Sequence, residues 1–205
     1  MWMKGSSIQS EDTFIMKKSQ LSVLLLSLLL LLVGCGSNRA AIATDTLCLS
    51  DKGSFVYEIV SAFAESYYNV EELKQMAQEE VNTYGSGVAI SKAEVENGVL
   101  HFAYTFDSLA AYAGFMETSC YQKTVAEALE NGYKSDTVLV SAKNGESIII
   151  NDTSIRQRNL FVWNESVAVR CDGNVLCYSS NLNLINKTDV QPKEGSVGPY
   201  YVVYK

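Results

Sequence analysis

The sequence predicts an α+β domain, in which an antiparallel sheet built from hairpins carries two or three helices packed on one face. Turn pairs such as Asn97-Gly98 and Asn144-Gly145 separate runs in which apolar and polar residues alternate, the pattern of β-hairpins. Between these runs apolar residues recur at helical spacing, as they do from Val70 to Tyr84. Together the two periodicities predict strands and helices in one chain.

The first predicted unit is a hairpin followed by a helix. Thr46–Val60 alternates around the turn Asp51-Lys52-Gly53. Asn69 is a suitable N-cap for the helix, and Glu72 is placed to complete a capping box. Gly85 is expected to end it. The residues predicted to form its buried stripe are Val70, Leu73, Met76, Ala77, Val81 and Tyr84.

A second hairpin is predicted from Val88 to Phe106, and two shorter helices follow it. One face should carry Leu100, Phe102, Tyr104 and Phe106, and the other His101, Ala103 and Thr105. Asp107 is expected to cap the second helix, which should bury Leu109, Tyr112, Ala113 and Met116. Thr124 with Glu127 should open the third helix, and Asn131-Gly132 should close it.

The remainder of the chain is predicted to be mostly strand. We expect Asn181–Pro199 to be irregular. The predicted strands are Thr137–Ala142, Ser147–Ile150, Leu160–Trp163, Val167–Arg170, Val175–Tyr178 and Tyr200–Tyr204.

A short apolar run near the start of the chain indicates a signal peptide over residues 1–34. The run Leu21–Val33 follows Lys17 and Lys18, and it is shorter than the roughly 20 residues that a spanning helix needs. A transmembrane anchor is the alternative, which this length disfavours. Because Glu11 and Asp12 do not suit a positively charged leader, we expect translation to start at Met16.

The residues Leu32-Val33-Gly34-Cys35 at the end of this run resemble the lipobox of bacterial lipoproteins. The resemblance implies cleavage before Cys35 and a diacylglyceryl anchor, with palmitate among its acyl chains, on the Cys35 sulfur. It implies a protein held at the cell membrane on its extracytoplasmic side, with residues 35–45 as a lipidated tether and residues 46–205 as a single domain. The segment from Tyr67 to Leu73 resembles small uncharacterised lipoproteins of Gram-positive bacteria, a likeness that brings no catalytic residue.

The charge balance restricts the partners of the folded surface. The chain carries 16 basic and 23 acidic residues, a net charge of −7 at pH 7. An acidic surface repels phosphate backbones, so nucleic acid and anionic lipid are disfavoured as partners of the domain. The membrane is expected as a partner only through the anchor at Cys35.

Four cysteines remain when Cys35 is assigned to the lipid, and an even number in an exported chain predicts two disulfides. Three connectivities are open. Cys171 and Cys177 flank the turn Asp172-Gly173-Asn174, so we favour the pair Cys171–Cys177, which leaves Cys48–Cys120. Four buried thiols are the alternative.

No pattern of residues predicts a catalytic centre, a metal site or a cofactor. His101 is the only histidine, which restricts nucleophile–histidine pairs and zinc sites. Cys171 and Cys177 lack the C-x-x-C spacing of thiol–disulfide enzymes, so a structural pair is the better reading. We therefore expect the protein not to be an enzyme.

Tyrosine is abundant, with 12 residues, and tyrosine suits binding surfaces because it joins apolar area to a polar tip. Burial in half-exposed strands is the alternative reading. We select Tyr67, Tyr68 and Tyr121 as candidate contact residues. The predicted function is a membrane-anchored, non-catalytic module of the cell envelope that binds a protein or a glycan. The alternatives are an exported cell-wall enzyme that uses carboxylates and a lipoprotein that binds a small ligand.

Overall fold

The computed structural model describes residues 41–50, 52–63, 65 and 69–205. These residues form three helices, α1 (Val70–Tyr84), α2 (Leu109–Phe115) and α3 (Val125–Glu130). They also form thirteen strands: β1 (Thr46–Cys48), β2 (Phe55–Ala62), β3 (Val88–Glu96), β4 (Val99–Phe106), β5 (Cys120–Thr124), β6 (Val138–Ser141), β7 (Ser147–Ile149), β8 (Asn159–Trp163), β9 (Ala168–Arg170), β10 (Val175–Ser179), β11 (Leu182–Leu184), β12 (Asp189–Pro192) and β13 (Tyr200–Tyr204).

The strands are arranged in two sheets. The first sheet has seven strands in the order β11-β12-β9-β1-β2-β4-β3, and its neighbours are antiparallel except for the parallel pair β1 and β9. The second has six antiparallel strands in the order β5-β8-β13-β10-β6-β7. Helices and largely antiparallel strands share one chain, so the predicted α+β class is confirmed. The expectation of one sheet with the helices on one face is replaced by two sheets.

The central strands of the second sheet are covered on both faces, and the alternating side chains of β8 divide between two hydrophobic clusters. Phe161 and Trp163 of β8 enter the larger cluster, which they share with residues of the first sheet such as Phe102 and Val169. Leu160 of β8 points the other way, into the smaller cluster beneath α3. Because strand side chains alternate, the second sheet lies between the two clusters and contributes side chains to each of them.

The predicted hairpins and caps are largely confirmed. β1 pairs with β2, β3 with β4, and β6 with β7. Asn97 and Gly98 both take positive φ in the turn between β3 and β4. Asn69 accepts hydrogen bonds from the backbone amides of Glu71 and Glu72 at the start of α1, but the Glu72 side chain does not return the bond that the predicted capping box requires. Thr124 and Glu127 form a complete capping box at the start of α3.

Three local predictions are wrong. Met76 and Tyr84 are exposed, by 63% and 41%, because α1 packs beside the edge strand β3 and buries only the narrow line of Ala77 and Val81. The cap of α2 is Ser108, since the amide of Asp107 still donates to Gly87 O at the end of the hairpin. The segment Asn181–Pro199 contains β11 and β12.

Candidate functional site

Tyr121 is the one predicted contact residue that the structure describes, and it belongs to a group of three tyrosines. Tyr67, Tyr68 and the lipidation site Cys35 lie outside the described residues. The rings of Tyr121 and Tyr133 have centroids 4.9 Å apart, and those of Tyr133 and Tyr201 are 6.4 Å apart with an interplanar angle of 90°. We call Tyr121, Tyr133 and Tyr201 the tyrosine cluster.

Strand register places two members of this cluster on the same face of the second sheet. Tyr121 of β5 and Tyr201 of β13 both lie opposite Val162 of β8, one on each side of it. Val162 is buried in the smaller hydrophobic cluster, so the two rings stand at its margin. Tyr133 follows α3 and completes the group, held by a 3.1 Å bond from its amide to Ala128 O.

All three tyrosines are half-buried, so each presents part of its ring while the rest is fixed by packing. Asn131 Nδ2 donates to Tyr121 Oη at 3.3 Å and to Glu127 O at 2.7 Å, which ties the cluster to the end of α3. The amide of Tyr201 donates to Ser179 Oγ at 3.0 Å. These bonds hold the cluster in a defined arrangement.

The phenol of Tyr133 stays neutral at physiological pH. Burial raises its pKa, and the neighbouring Tyr121, Tyr201 and Cys120 raise it further. A neutral phenol both donates and accepts hydrogen bonds. Tyr133 therefore adds an uncharged polar tip to the apolar area of the tyrosine cluster.

The predicted Cys171–Cys177 pairing is not formed in the structure. Cys171 follows β9 of the first sheet and is buried in the larger cluster, whereas Cys177 of β10 in the second sheet is buried in the smaller one. The prediction assumed that β9 and β10 pair around Asp172-Gly173-Asn174. Instead the chain crosses there from one sheet to the other, so the two side chains point into different clusters.

The pair Cys48–Cys120 is likewise not formed. Cys48 lies opposite Val56 and Arg170 in the first sheet, and Cys120 lies opposite Trp163 at the edge of the second. Burial raises the pKa of Cys120 to about 12, an effect that the nearby Glu165 increases. Burial also raises the pKa of Cys177 to about 12 and that of Cys171 above its usual range. Thiols in this state are poor nucleophiles.

A buried carboxyl group, which the sequence did not indicate, lies in the bend between β8 and β9. Neither oxygen of Glu165 is accessible or has a hydrogen-bond partner in the described part of the chain. Burial raises its pKa, while the backbone amides of Asn164 and Glu165 act in the opposite direction. Its charge acts on Cys120, Tyr57 and Tyr112. The nearby amides do not form hydrogen bonds of good geometry with the carboxyl oxygens, so burial of this group carries a desolvation cost in the native state.

The single histidine contacts the ion pair of Glu58 and Lys92 on the other face of β4 from Phe102. His101 Nδ1 lies 3.0 Å from Glu58 Oε1, and Lys92 Nζ lies 3.7 Å from the same oxygen. All three side chains are partly exposed on the first sheet, in agreement with the predicted face of His101. Cross-strand pairing of this kind stabilises a sheet without requiring a chemical role.

No group of three or more histidine, cysteine, aspartate or glutamate side chains is arranged to hold a metal ion within the part of the chain that the structure describes. None of the helices formed by those residues is both long and apolar enough to span a membrane. The chain matches no protein-family model, and it has no significant match among curated proteins or solved structures.

Proposed function

We propose that this chain is a lipid-anchored, non-catalytic binding module of the cell envelope, which contacts an envelope protein or glycan through the tyrosine cluster. The likeness of Leu32–Cys35 to a lipobox supports the anchor and the extracytoplasmic location. The tyrosine cluster is the observation that carries the binding role. The membrane is a partner through the acyl chains on Cys35, and two such chains give stable attachment.

The chemistry of the cluster suits recognition by contact. Three partly exposed rings give apolar area, and their hydroxyl groups give polar contacts at its margin. Packing against Val162 and the bond from Asn131 already restrict the rings, so a partner loses little side-chain entropy on binding. Such preorganised tyrosines are typical of binding surfaces.

The state of the reactive side chains favours binding over catalysis. The thiols of Cys171 and Cys177 are buried and that of Cys120 is half-buried, and all three have raised pKa values, which disfavours the thiolate that a nucleophile needs. The imidazole of His101 contacts Glu58 on the first sheet, whereas Cys120 and Cys177 belong to the second sheet. A module that binds by contact requires no reactive group.

The test is cross-linking in living cells, followed by mass spectrometry of what the lipidated protein captures. Tyr133→Ala removes the central ring, and Tyr84→Ala is the matched control because it removes a ring of α1 that is also partly exposed and packed on a neighbouring ring, that of Phe115, outside the cluster. We expect one dominant envelope protein, captured by the parent protein and by Tyr84→Ala but reduced on the order of tenfold in Tyr133→Ala, as for an interface hot spot. Equal capture by all three would contradict a binding role for the cluster.

If the partner is a glycan, the same variants decide the question with isolated cell wall. We expect co-sedimentation of the parent protein and Tyr84→Ala, and loss of Tyr133→Ala from the pellet.

Replacement of Cys35 by Ala tests the anchor separately: the variant should leave the membrane fraction. A Cys35→Ala protein that stays in that fraction would show that the lipid does not hold the protein.

A further inference from the structure

Three lysines line one cleft at the edge of the second sheet where β13 ends. The cleft has a volume of about 570 Å³, and its lining includes Lys143, Lys187 and Lys205. All three lysines are exposed. We call this feature the lysine cleft. Its lining contains no acidic side chain.

The positive charge in the cleft is not neutralised by ion pairs. None of its three lysines forms a salt bridge with any residue that the structure describes. The chain as a whole has a net charge of −7, so a cluster of uncompensated lysines contrasts with the rest of the surface. An α-carboxylate on Lys205 would lower the charge of the cleft by one and leave it positive. A concave site of one sign concentrates its field and attracts anions.

The cleft has a fixed framework of backbone hydrogen bonds. The amide of Val175 donates to Lys187 O at 2.8 Å, and that of Lys205 donates to Asn174 O at 3.1 Å. Gly173 allows this close approach, because a Cβ there would collide with the backbone carbonyl of Lys205. The start of β10, the end of β13 and the turn before β12 therefore hold the backbone of Lys187 and Lys205 at set positions.

Neutral groups complete the lining. Asn186 Oδ1 accepts hydrogen bonds from the amides of Thr188 and Asp189, and the Asn186 side chain also hydrogen-bonds the Asp189 carboxylate, which fixes it at the rim of the cleft. The half-buried side chains of Leu176 and Leu184 add apolar surface. The cleft thus offers ammonium groups beside a small apolar wall.

We propose that the lysine cleft binds a phosphate-bearing ligand. Lysine acts as a compact point charge and is a common phosphate ligand, whereas planar recognition of carboxylates favours arginine, which this lining lacks. The apolar wall favours an esterified phosphate over free phosphate. This binding site is separate from the tyrosine cluster and does not depend on the function proposed for it.

The experiment is ³¹P NMR of inorganic phosphate and of glycerol phosphate, each titrated with the full lipidated protein in nonionic detergent. The variants are Lys143→Gln and Lys187→Gln, and the control is Lys74→Gln, which removes an exposed lysine from α1. We expect line broadening with the parent protein and the control, and binding on the order of tenfold weaker in each cleft variant. Raising the salt concentration should weaken binding throughout.

The two probes distinguish the source of the phosphate. Tighter binding of glycerol phosphate identifies an ester as the ligand class, and equal or tighter binding of inorganic phosphate identifies free phosphate. The proposal is overturned if neither probe broadens, or if the cleft variants bind as well as Lys74→Gln. Because the lysines are exposed, near-ultraviolet circular dichroism should show that all the variants keep the parent fold.

Discussion

Tyr121 and Tyr133 pack with ring centroids 4.9 Å apart, although α3 separates them in the chain. The contact exists because α3 turns the chain back over β5, and the bond from Asn131 Nδ2 to Tyr121 Oη closes the loop. One residue of this pair was selected from the sequence as a contact residue, and the other lies beside it only in the fold. The arrangement is the basis of the proposed binding surface.

The capping box of α3 should contribute measurably to stability. Thr124 Oγ1 accepts from the amide of Glu127 at 3.2 Å, so Thr124→Ala leaves a helix amide without its partner. We expect a loss of about 1 kcal/mol and a fall in Tm of about 2–4 °C. Thr83→Ala, which removes an exposed hydroxyl within α1, is the control for thermal unfolding. A Tm of Thr124→Ala equal to that of the control would argue against the cap.

The stability that this capping box contributes should also depend on pH. The side-chain hydrogen bond from Thr124 lowers the pKa of Glu127, and the backbone bond lowers it further. A depressed carboxyl pKa stabilises the native state above the unfolded value of about 4.3, and that contribution is lost as the pH falls through the folded value. The Tm difference between the parent and Thr124→Ala should therefore shrink below about pH 4, which unfolding measured at several pH values will check.

The ion pair between β9 and β12 should be sensitive to loss of one partner. Arg170 Nε lies 3.1 Å from both carboxylate oxygens of Asp189, and Nη2 lies 2.7 Å from Oδ2. Both side chains are largely buried. Asp189→Asn leaves the guanidinium without its counter-charge, and we expect a loss of about 3 kcal/mol.

A double-variant cycle with Arg170→Met isolates the pair, measured by urea unfolding. The double variant should be more stable than the sum of the two single losses implies. Burial acts to raise the pKa of Asp189, but hydrogen bonds from Arg170 and Thr188 outweigh it and leave the pKa lowered. The pair should therefore stabilise the fold above about pH 3.9 and lose its contribution as the pH falls through the depressed value. Additive losses would show that the two side chains do not interact.

Glu165 should destabilise the native state at neutral pH. Burial raises the pKa of this carboxyl group, so ionisation costs more in the folded than in the unfolded chain. Stability should fall as the pH rises from about 4.3 through the folded pKa. Glu165→Gln removes the charge and should stabilise the protein at pH 7 by on the order of 1 kcal/mol, with no gain near pH 4.

The control for this variant is Glu194→Gln, which neutralises an exposed carboxylate. Thermal unfolding between pH 4 and pH 8 should separate the two variants, because only the buried position should show a gain that grows with pH. A Glu165→Gln protein that loses stability at pH 7 would mean that the carboxylate has a partner in solution.

The cysteines of the folded domain should resist alkylation. Burial raises the pKa of Cys120 and Cys177 to about 12 and also raises that of Cys171. We expect iodoacetamide to modify these three residues at pH 8 only after denaturant is added, as read by peptide mass spectrometry. Denaturation without a reductant should suffice. A requirement for reductant would instead support the disulfides expected from the sequence.

Local signals predicted most elements, because caps and tight turns depend on a few adjacent residues. Asn97-Gly98 specified a hairpin through the positive φ of both residues, and Thr124 with Glu127 specified the start of α3. The partition into two sheets was not predicted. Asp172-Gly173-Asn174 has the composition of a hairpin turn, but here the chain changes sheets, a choice made by long-range packing of β9 and β10.

The candidate site was only partly visible in the sequence. Tyr121 was selected for its residue type, whereas Tyr133 and Tyr201 become its neighbours through the register of β5, β8 and β13. The lysine cleft could not be found, since Lys143, Lys187 and Lys205 are far apart in the chain. Glu165 gave no signal because nothing in its neighbourhood along the chain indicates burial.

The most direct test of the proposed binding surface is photo-cross-linking from the cluster itself. A photoreactive phenylalanine analogue replaces Tyr133 in the lipidated protein in living cells, and the same analogue at Tyr84 is the control. A single envelope partner cross-linked from position 133 and absent from position 84 is the result that we predict. Equal products from both positions, or a partner cross-linked only from position 84, would contradict a binding role for the tyrosine cluster.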